Sequence, residues 1–334
     1  MIGKPKSQVS LLDSAFSKRK KRSRSDSLLQ KIDKFVDWQE LETICQPMYK
    51  ASRRGRPTIP IQFSLKCLIL QYLYNLSDPA LEDALVDRLS FQRFLGISFE
   101  SEIPDFTTIW RFRERLNKAG LLNNVFEAVV KQLDQRNTLL RRGTLIDATL
   151  VQAARRPSKQ DSPQDGDTSS GGRADSQRDR DASSVKQGKK FCYGYKGHIA
   201  VDQGSGIIRK QSFTSACVHD SQQTGELICG DEQALFADKA YASDELKQSC
   251  RKNGVFYGVL DKGRRNRPLS QKQKKANNRK SRIRNAVERP FAWFKRILGY
   301  RMVRYVNLRR NALQFTFLCI VHNLRRGVCL STKT

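Results

Sequence analysis

At 334 residues the chain is long enough to bury a full core, and its formal net charge of +29 makes it a partner for polyanions rather than an electrically neutral scaffold. Residues 261–310 hold 18 basic and 2 acidic side chains, which points to phosphate backbone, with a solvated basic face as the plain alternative. The eight cysteines form no CxxC pair, no signal-peptide core is evident, and the most apolar run, 315–321, is too short for a bilayer; a reduced, cytoplasmic chain without a membrane partner is the expectation.

In chain order, residues 1–27 are polar with a basic cluster over 18–24 and read as a flexible arm. Residues 28–140 read as a helical domain. A first helix spans 28–44 and is stopped by Pro47, and Arg53-Arg54-Gly55-Arg56-Pro57 is a basic linker. The segment 61–76 is apolar enough to be buried, and Ser77-Asp78-Pro79 signals a new helix over 80–89. Pro104-Asp105-Phe106-Thr107-Thr108 opens a helix that ends at Gly120 and carries Trp110, Arg111, Arg113 and Arg115; an amphipathic helix over 121–135 follows. One arginine-rich helix in a helical domain fits a helix-turn-helix-like DNA reader, with Trp110, Arg111 and Arg113 as its contacts; a scaffold with exposed arginines fits equally.

After Gly143 the pattern changes, and residues 141–326 read as a second domain with a short tail over 327–334. A β-rich run over 144–151 has Asp147 in its middle. Residues 155–190 are polar and read as a disordered insertion. Two strands then flank Asp202-Gln203-Gly204-Ser205-Gly206, a hairpin signal. A small apolar strand over 234–237 delivers Asp238, Ser243 caps a helix that stops at Asn253-Gly254, and 255–260 is another strand. A basic coil follows, then a helix around Glu288 and an apolar helix around 313–324. This order predicts an α/β sheet packed by helices.

Glu288 is the only carboxylate side chain from Lys262 to the end of the chain, against 21 Lys and Arg. Val287, Phe291, Phe294 and Leu298 follow helical spacing and form a core-facing stripe. Arg284, Glu288 and Lys295 fall on one polar edge beside it. Pro290 would kink a longer helix, so the helix starts near Glu288 with Arg284 in the preceding turn. Asp147 interrupts an apolar strand, where a charge is costly unless it is paired or bound to a cation. Asp238 ends a buried strand, a common place for catalytic groups in α/β sheets, though such an Asp also serves as a turn residue or helix cap. Together the three acids would offer hard oxygen ligands to magnesium, two ions of which activate a water and stabilise the leaving oxygen of a phosphodiester.

Several ordered blocks carry a resemblance. They are Asp105-Phe106-Thr107-Thr108-Ile109-Trp110-Arg111-Phe112-Arg113, Ile146-Asp147-Ala148-Thr149, Tyr193-Gly194-Tyr195-Lys196-Gly197-His198, Val218-His219-Asp220-Ser221 and Ala237-Asp238-Lys239-Ala240-Tyr241. Arg284, Glu288 and Lys295 fit the spacing Y-(2)-R-(3)-E-(6)-K, with Ser281 at the tyrosine position. Over nearly its whole length the chain resembles DDE transposases of bacterial insertion sequences, families five and four. The resemblance implies a ribonuclease-H-like catalytic domain behind a helical N-terminal one, with Asp147 on the first strand, Asp238 after the fourth and Glu288 on a late helix. It implies a Mg2+-dependent reaction at two ions, with Mn2+ as a substitute. Hydrolysis at the inverted-repeat ends of the element frees 3′-hydroxyls, which then attack target DNA. Arg284, Arg289 and Lys295 would grip phosphates, and His219 and Asp220 would support the site. Joining two ends implies a dimer or larger assembly on DNA, at the nucleoid. An inactive relative that only binds the element ends is the alternative.

Overall fold

The computed structural model describes residues 23–49, 59–97, 102–155, 179–187, 190–263 and 268–331. The chain divides into two compact units, residues 1–138 with 316–334, and residues 139–315.

The first unit is helical: α1 (Arg24–Phe35), α2 (Trp38–Cys45), α3 (Ile61–Leu73), α4 (Asp78–Asp87), α5 (Leu89–Leu95), α6 (Phe106–Ala119) and α7 (Leu122–Gln135). The single helix expected over 28–44 is two, because the Asp37 carboxylate accepts the N–H groups of Gln39 and Glu40 and starts a second helix. Residues from Arg24 onward belong to α1 rather than to the arm: Asp26 is buried and paired with Arg93 at 2.9 Å. The rest of the arm and the 53–57 linker lie outside the described residues. α3 is buried almost all round, as its lack of a polar face requires. α5, not anticipated, ends on Gly96 at a φ of 69°.

The second unit contains a six-stranded sheet: β1 (Thr144–Gln152), β2 (Ser183–Gln187), β3 (Lys190–Asp202), β4 (Ile208–Ser215), β5 (Ala234–Ala237) and β6 (Phe256–Tyr257). β3 lies antiparallel to β1 along one edge and carries β2 and then β4 along the other, because Gly194 pairs with both Gln152 and Ser183. β5 runs parallel to β1, and β6 parallel to β5. Three antiparallel strands continued by two parallel ones, flanked by helices, is the ribonuclease-H-like arrangement. The strand expected over 255–260 is a two-residue pairing, prolonged by backbone bonds from Gly258 to Leu235 and from Leu260 to Ala237. β2 is the surprise: the downstream end of the polar insertion is a sheet strand, while 156–178 lie outside the described residues.

Helices α8 (Thr224–Leu227), α9 (Asp244–Lys252), α10 (Gln271–Arg284), α11 (Glu288–Arg296) and α12 (Leu308–Ser331) complete the chain. Ile146, Ala200, Leu235, Ala237, Tyr241, Leu246 and Val259 form one buried cluster of the second unit. The basic coil expected before Glu288 is the helix α10, begun by a capping box in which Ser270 and Gln273 satisfy each other's backbone N–H. It buries no residue. The tail expected over 327–334 is helical through Ser331: Val328 is buried, and a Cβ on Gly327 would lie 2.3 Å from Leu133 Cδ2. Among the described residues no helix is long and apolar enough to cross a membrane.

Candidate active site

The parallel pairing of β1 with β5 sets two acids side by side. Ile146 is in register with Ala237, so the next residues, Asp147 and Asp238, leave the two strands together. Asp147 stays within β1, opposite Ile199 of β3, with a fifth of its side-chain surface open. Asp238 begins the turn Lys239–Tyr241, its carbonyl accepting the Tyr241 N–H.

Glu288 arrives from a later part of the chain. α10 ends at Arg284, a 3-10 turn carries Asn285–Val287, and α11 begins at Glu288. Pro290 therefore sits in the first turn of α11, where its missing N–H costs no helical bond. Val287, Phe291, Phe294 and Leu298 are buried as the spacing demands, each contributing about 1.5–3 kcal/mol of burial. That anchoring leaves Glu288 61% exposed. Arg284 joins the two arms of the site: its Nη1 donates to Asp147 Oδ2 at 2.9 Å, and its Nη2 lies 3.8 Å from Glu288 Oε1.

The electrostatics agree with a shared acidic centre. Burial pushes the Asp147 carboxyl up to about 6; Arg284 and the Ala148 N–H oppose the rise, and Asp238 and Glu288 add to it. Burial also lowers Lys295, helped by Arg301 and opposed by Cys192 and Asp147. Tyr241 is enclosed, its hydroxyl 3.2 Å from His198 Nδ1, while His198 Nε2 is 3.2 Å from Thr214 Oγ1. Burial depresses His198 to about 4, so the imidazole is neutral in ordinary buffers. Tyr241 lies in the same sequence block as Asp238, three residues on.

The remaining residues that the sequence singles out fall differently. Asp220 is held by Lys196, whose Nζ donates to Asp220 Oδ1 at 2.9 Å and to the Val218 carbonyl at 2.8 Å. His219 is exposed and caps a short turn through Ser221. Arg289 is exposed at the start of α11. In the helical unit Trp110 is 42% exposed and Arg111 is exposed beside it. Arg113 is turned inward: only 3% exposed, it donates to both carboxylate oxygens of Asp78 at 2.6 and 2.7 Å and to Gln71 Oε1 at 3.2 Å. A guanidinium so enclosed is a packing group and does not reach a phosphate.

Among the described residues Cys229, Asp231 and Glu232 are the one set close enough together to share an ion. Their oxygens are already engaged, Asp231 by Arg209 and Arg141 and Glu232 by the N–H groups of Cys229 and Gly230. They brace a loop. The oxygens of Asp147, Asp238 and Glu288 are not drawn closely enough together to share an ion, and Arg284 stands between two of them; as hard donors they are of the kind a divalent ion takes.

The ribonuclease-H-like sheet thus carries one acid on its central strand and one after the neighbouring parallel strand, with a third on a late helix. Family comparisons give the class of enzyme. The transposase domain family (DUF772) matches residues 17–115, and the transposase DDE domain family matches residues 138–324. The chain belongs to the DDE transposases. Members generally use divalent metal ions. Among solved structures, a piggyBac transposase synaptic complex with hairpin DNA shows a loose likeness: TM-score 0.39 and 11% identity, over 92% of this chain and 75% of that one.

Proposed function

We propose that this transposase cleaves DNA at the inverted-repeat ends of its element and transfers the freed 3′-hydroxyls to target DNA, with Asp147, Asp238 and Glu288 as ligands for two Mg2+ ions that Mn2+ can replace. The observation that carries the reading is the β1–β5 register, which sets Asp147 beside Asp238 on a mixed sheet, together with the Arg284 contacts that tie Glu288 to the same centre. Bound ions of this kind activate a water or a hydroxyl and neutralise charge on the leaving oxygen.

The chain's own side chains define how DNA approaches. Asp147 is held within β1 by its pairing with Ile199 of β3, and its carboxylate is free to meet a phosphate-bound ion once the Arg284 guanidinium moves aside. Lys295, half-buried on the α11 face, and Arg289, exposed one residue after Glu288, supply fixed and mobile positive charge for the phosphates beside the cut. α10 offers Lys272, Lys274, Lys275, Arg279 and Arg282 on exposed positions, a run of cations with no acid among them. Trp110 and Arg111 give the helical unit a second contact with the element end. Two ends are joined in one reaction, so the working species is a dimer or larger on DNA.

The test is cleavage of a labelled duplex carrying the flanking inverted repeat, with Mg2+, with EDTA, and with Glu288→Gln or Asp238→Asn. Nicking at the repeat end that needs the metal and both acids, with DNA binding intact in the variants, is the expected result. Binding without nicking in Mg2+ or Mn2+ would make the chain an end-binding relative that has lost catalysis.

A further inference from the structure

Arg284 stands between Asp147 and Glu288, two of the acids that would ligate an ion. Its Nη1 is 2.9 Å from Asp147 Oδ2 and its Nη2 is 3.8 Å from Glu288 Oε1. The other Asp147 oxygen accepts the Ala148 N–H at 2.9 Å. Both oxygens of Asp147 are therefore engaged before any ion arrives. A hard divalent ion approaches a carboxylate oxygen to about 2.1 Å. A guanidinium bonded to the same oxygen would then face it within a few ångströms, and the two positive charges would repel.

Arg113 and Arg284 differ in how they are held. Arg113 is bound bidentately to Asp78 and again to Gln71, which is how a permanent structural guanidinium is fixed. Arg284 has one short bond, a second contact too long for a hydrogen bond, and a buried Nε without an acceptor. It is also the last residue of α10, where the chain passes into a 3-10 turn, so its side chain can leave without breaking a helix. Charge holds it in place, and its donor set is incomplete.

We propose that Arg284 is a resident counter-cation of the acidic centre, competing with the divalent ion for Asp147 and Glu288 and passing to a DNA phosphate when the ion binds. This rests on the reading of Asp147, Asp238 and Glu288 as ion ligands. Its consequence is mutual dependence. Without DNA the guanidinium opposes the ion; a phosphate that takes the guanidinium clears the way, and the ion in turn releases Arg284 to the phosphate. The enzyme would thus load its ions at an engaged DNA end and stay closed in free solution.

The experiment titrates the full chain with Mn2+, reading free Mn2+ by its paramagnetic resonance signal, with and without a short duplex bearing a 5′-phosphate. Without DNA, Arg284→Gln should bind Mn2+ about tenfold tighter than wild type, within the 5–150-fold span of ordinary coupling between sites. Arg284→Lys, which keeps the charge, should stay near wild type. The duplex should tighten Mn2+ binding by wild type and leave Arg284→Gln unmoved. Unchanged or weaker Mn2+ binding by Arg284→Gln, with binding still abolished by Asp147→Asn, would overturn the competition while the metal centre stands. Equal binding by wild type and Asp147→Asn would remove the centre, and the proposal with it. If Arg284→Gln does not fold, wild type alone decides: Mn2+ binding indifferent to the duplex overturns the idea.

Discussion

Replacing Asp78 by Ala should unfold the helical unit far more readily than any loss of surface charge would. Arg113 is 3% exposed, and Asp78 supplies both oxygens it binds, at 2.6 and 2.7 Å. Removing the carboxylate leaves a buried guanidinium with the Gln71 oxygen as a remaining neutral acceptor. Breaking a buried pair from one side costs about 3–5 kcal/mol; because Asp78 itself is 23% exposed, the lower end, about 3 kcal/mol, is the expected loss. For a unit of this size that corresponds to a fall in melting temperature of roughly 6–12 °C. The chain has two units, so hydrogen exchange over α3, α4 and α6 is the proper assay, since a single global transition is not assured. Adding Arg113→Met should recover much of the loss, because a buried pair exchanged for apolar groups is often near neutral. An Asp78→Ala loss below about 1 kcal/mol, or an Arg113→Met variant that keeps its stability and loses DNA affinity, would refute the argument and return Arg113 to the DNA-contact surface.

Gly197→Ala should cost about 1–3 kcal/mol in urea unfolding, since the new Cβ would lie 2.5 Å from Cε2 of the fully buried Phe315; an unchanged midpoint would mean that β3 and Phe315 part freely. In EDTA, the Asp147 carboxyl at about 6 stands above its unfolded value of about 3.9, so its contribution to stability is full below the unfolded value and is lost as pH rises through 6. The gap of about two units corresponds to about 3 kcal/mol, and stability against pH measured for wild type and Asp147→Asn should differ in slope between about pH 4 and 7; parallel curves would contradict it. Lys272→Gln, Lys274→Gln and Lys275→Gln together should flatten the plot of log affinity for DNA against log salt by about 0.9 for each phosphate left without its cation, and an unaltered slope would take α10 off the DNA.

Much of the sheet was legible because its strands carry their own signals. β1, the β3–β4 hairpin and the strand before Asp238 are short apolar runs bounded by turn residues, and the α11 stripe repeats at helical spacing. What escaped were elements whose cause is not an apolar pattern. α10 buries nothing, so no periodicity marks it, and its one signal was the Ser270–Gln273 box. β2 is held by backbone pairing to β3 and not by an apolar face, which is why a polar stretch read as disorder could contain a strand. The break between α1 and α2 was signalled by Asp37, an N-cap residue inside an otherwise helical run. Arg113 could have been placed correctly from spacing alone. With Ile109, Phe112 and Leu116 it occupies the buried face of α6, whereas Trp110 and Arg111 do not. For the candidate site, the three acids were visible as charges in improbable places, but the Arg284 bridge between them depends on a helix–turn–helix junction that no periodicity reports.

The double pairing of Gly194 has a bearing on how this protein can change. One edge of β3 holds Gln152, where the chain leaves the sheet, and the other holds Ser183, where it has returned. The exit and the re-entry are thus two strand spacings apart, about 10 Å, whatever lies between them. Asp179 and Asp181 fix the re-entry further, accepting the N–H groups of Asn307 and Leu308 at the head of α12. Closing a loop over a fixed gap costs only about 0.6 kcal/mol more for each doubling of its length. The sheet therefore presents a socket at which sequence can be lengthened, trimmed or exchanged with little effect on the strands that carry Asp147 and Asp238.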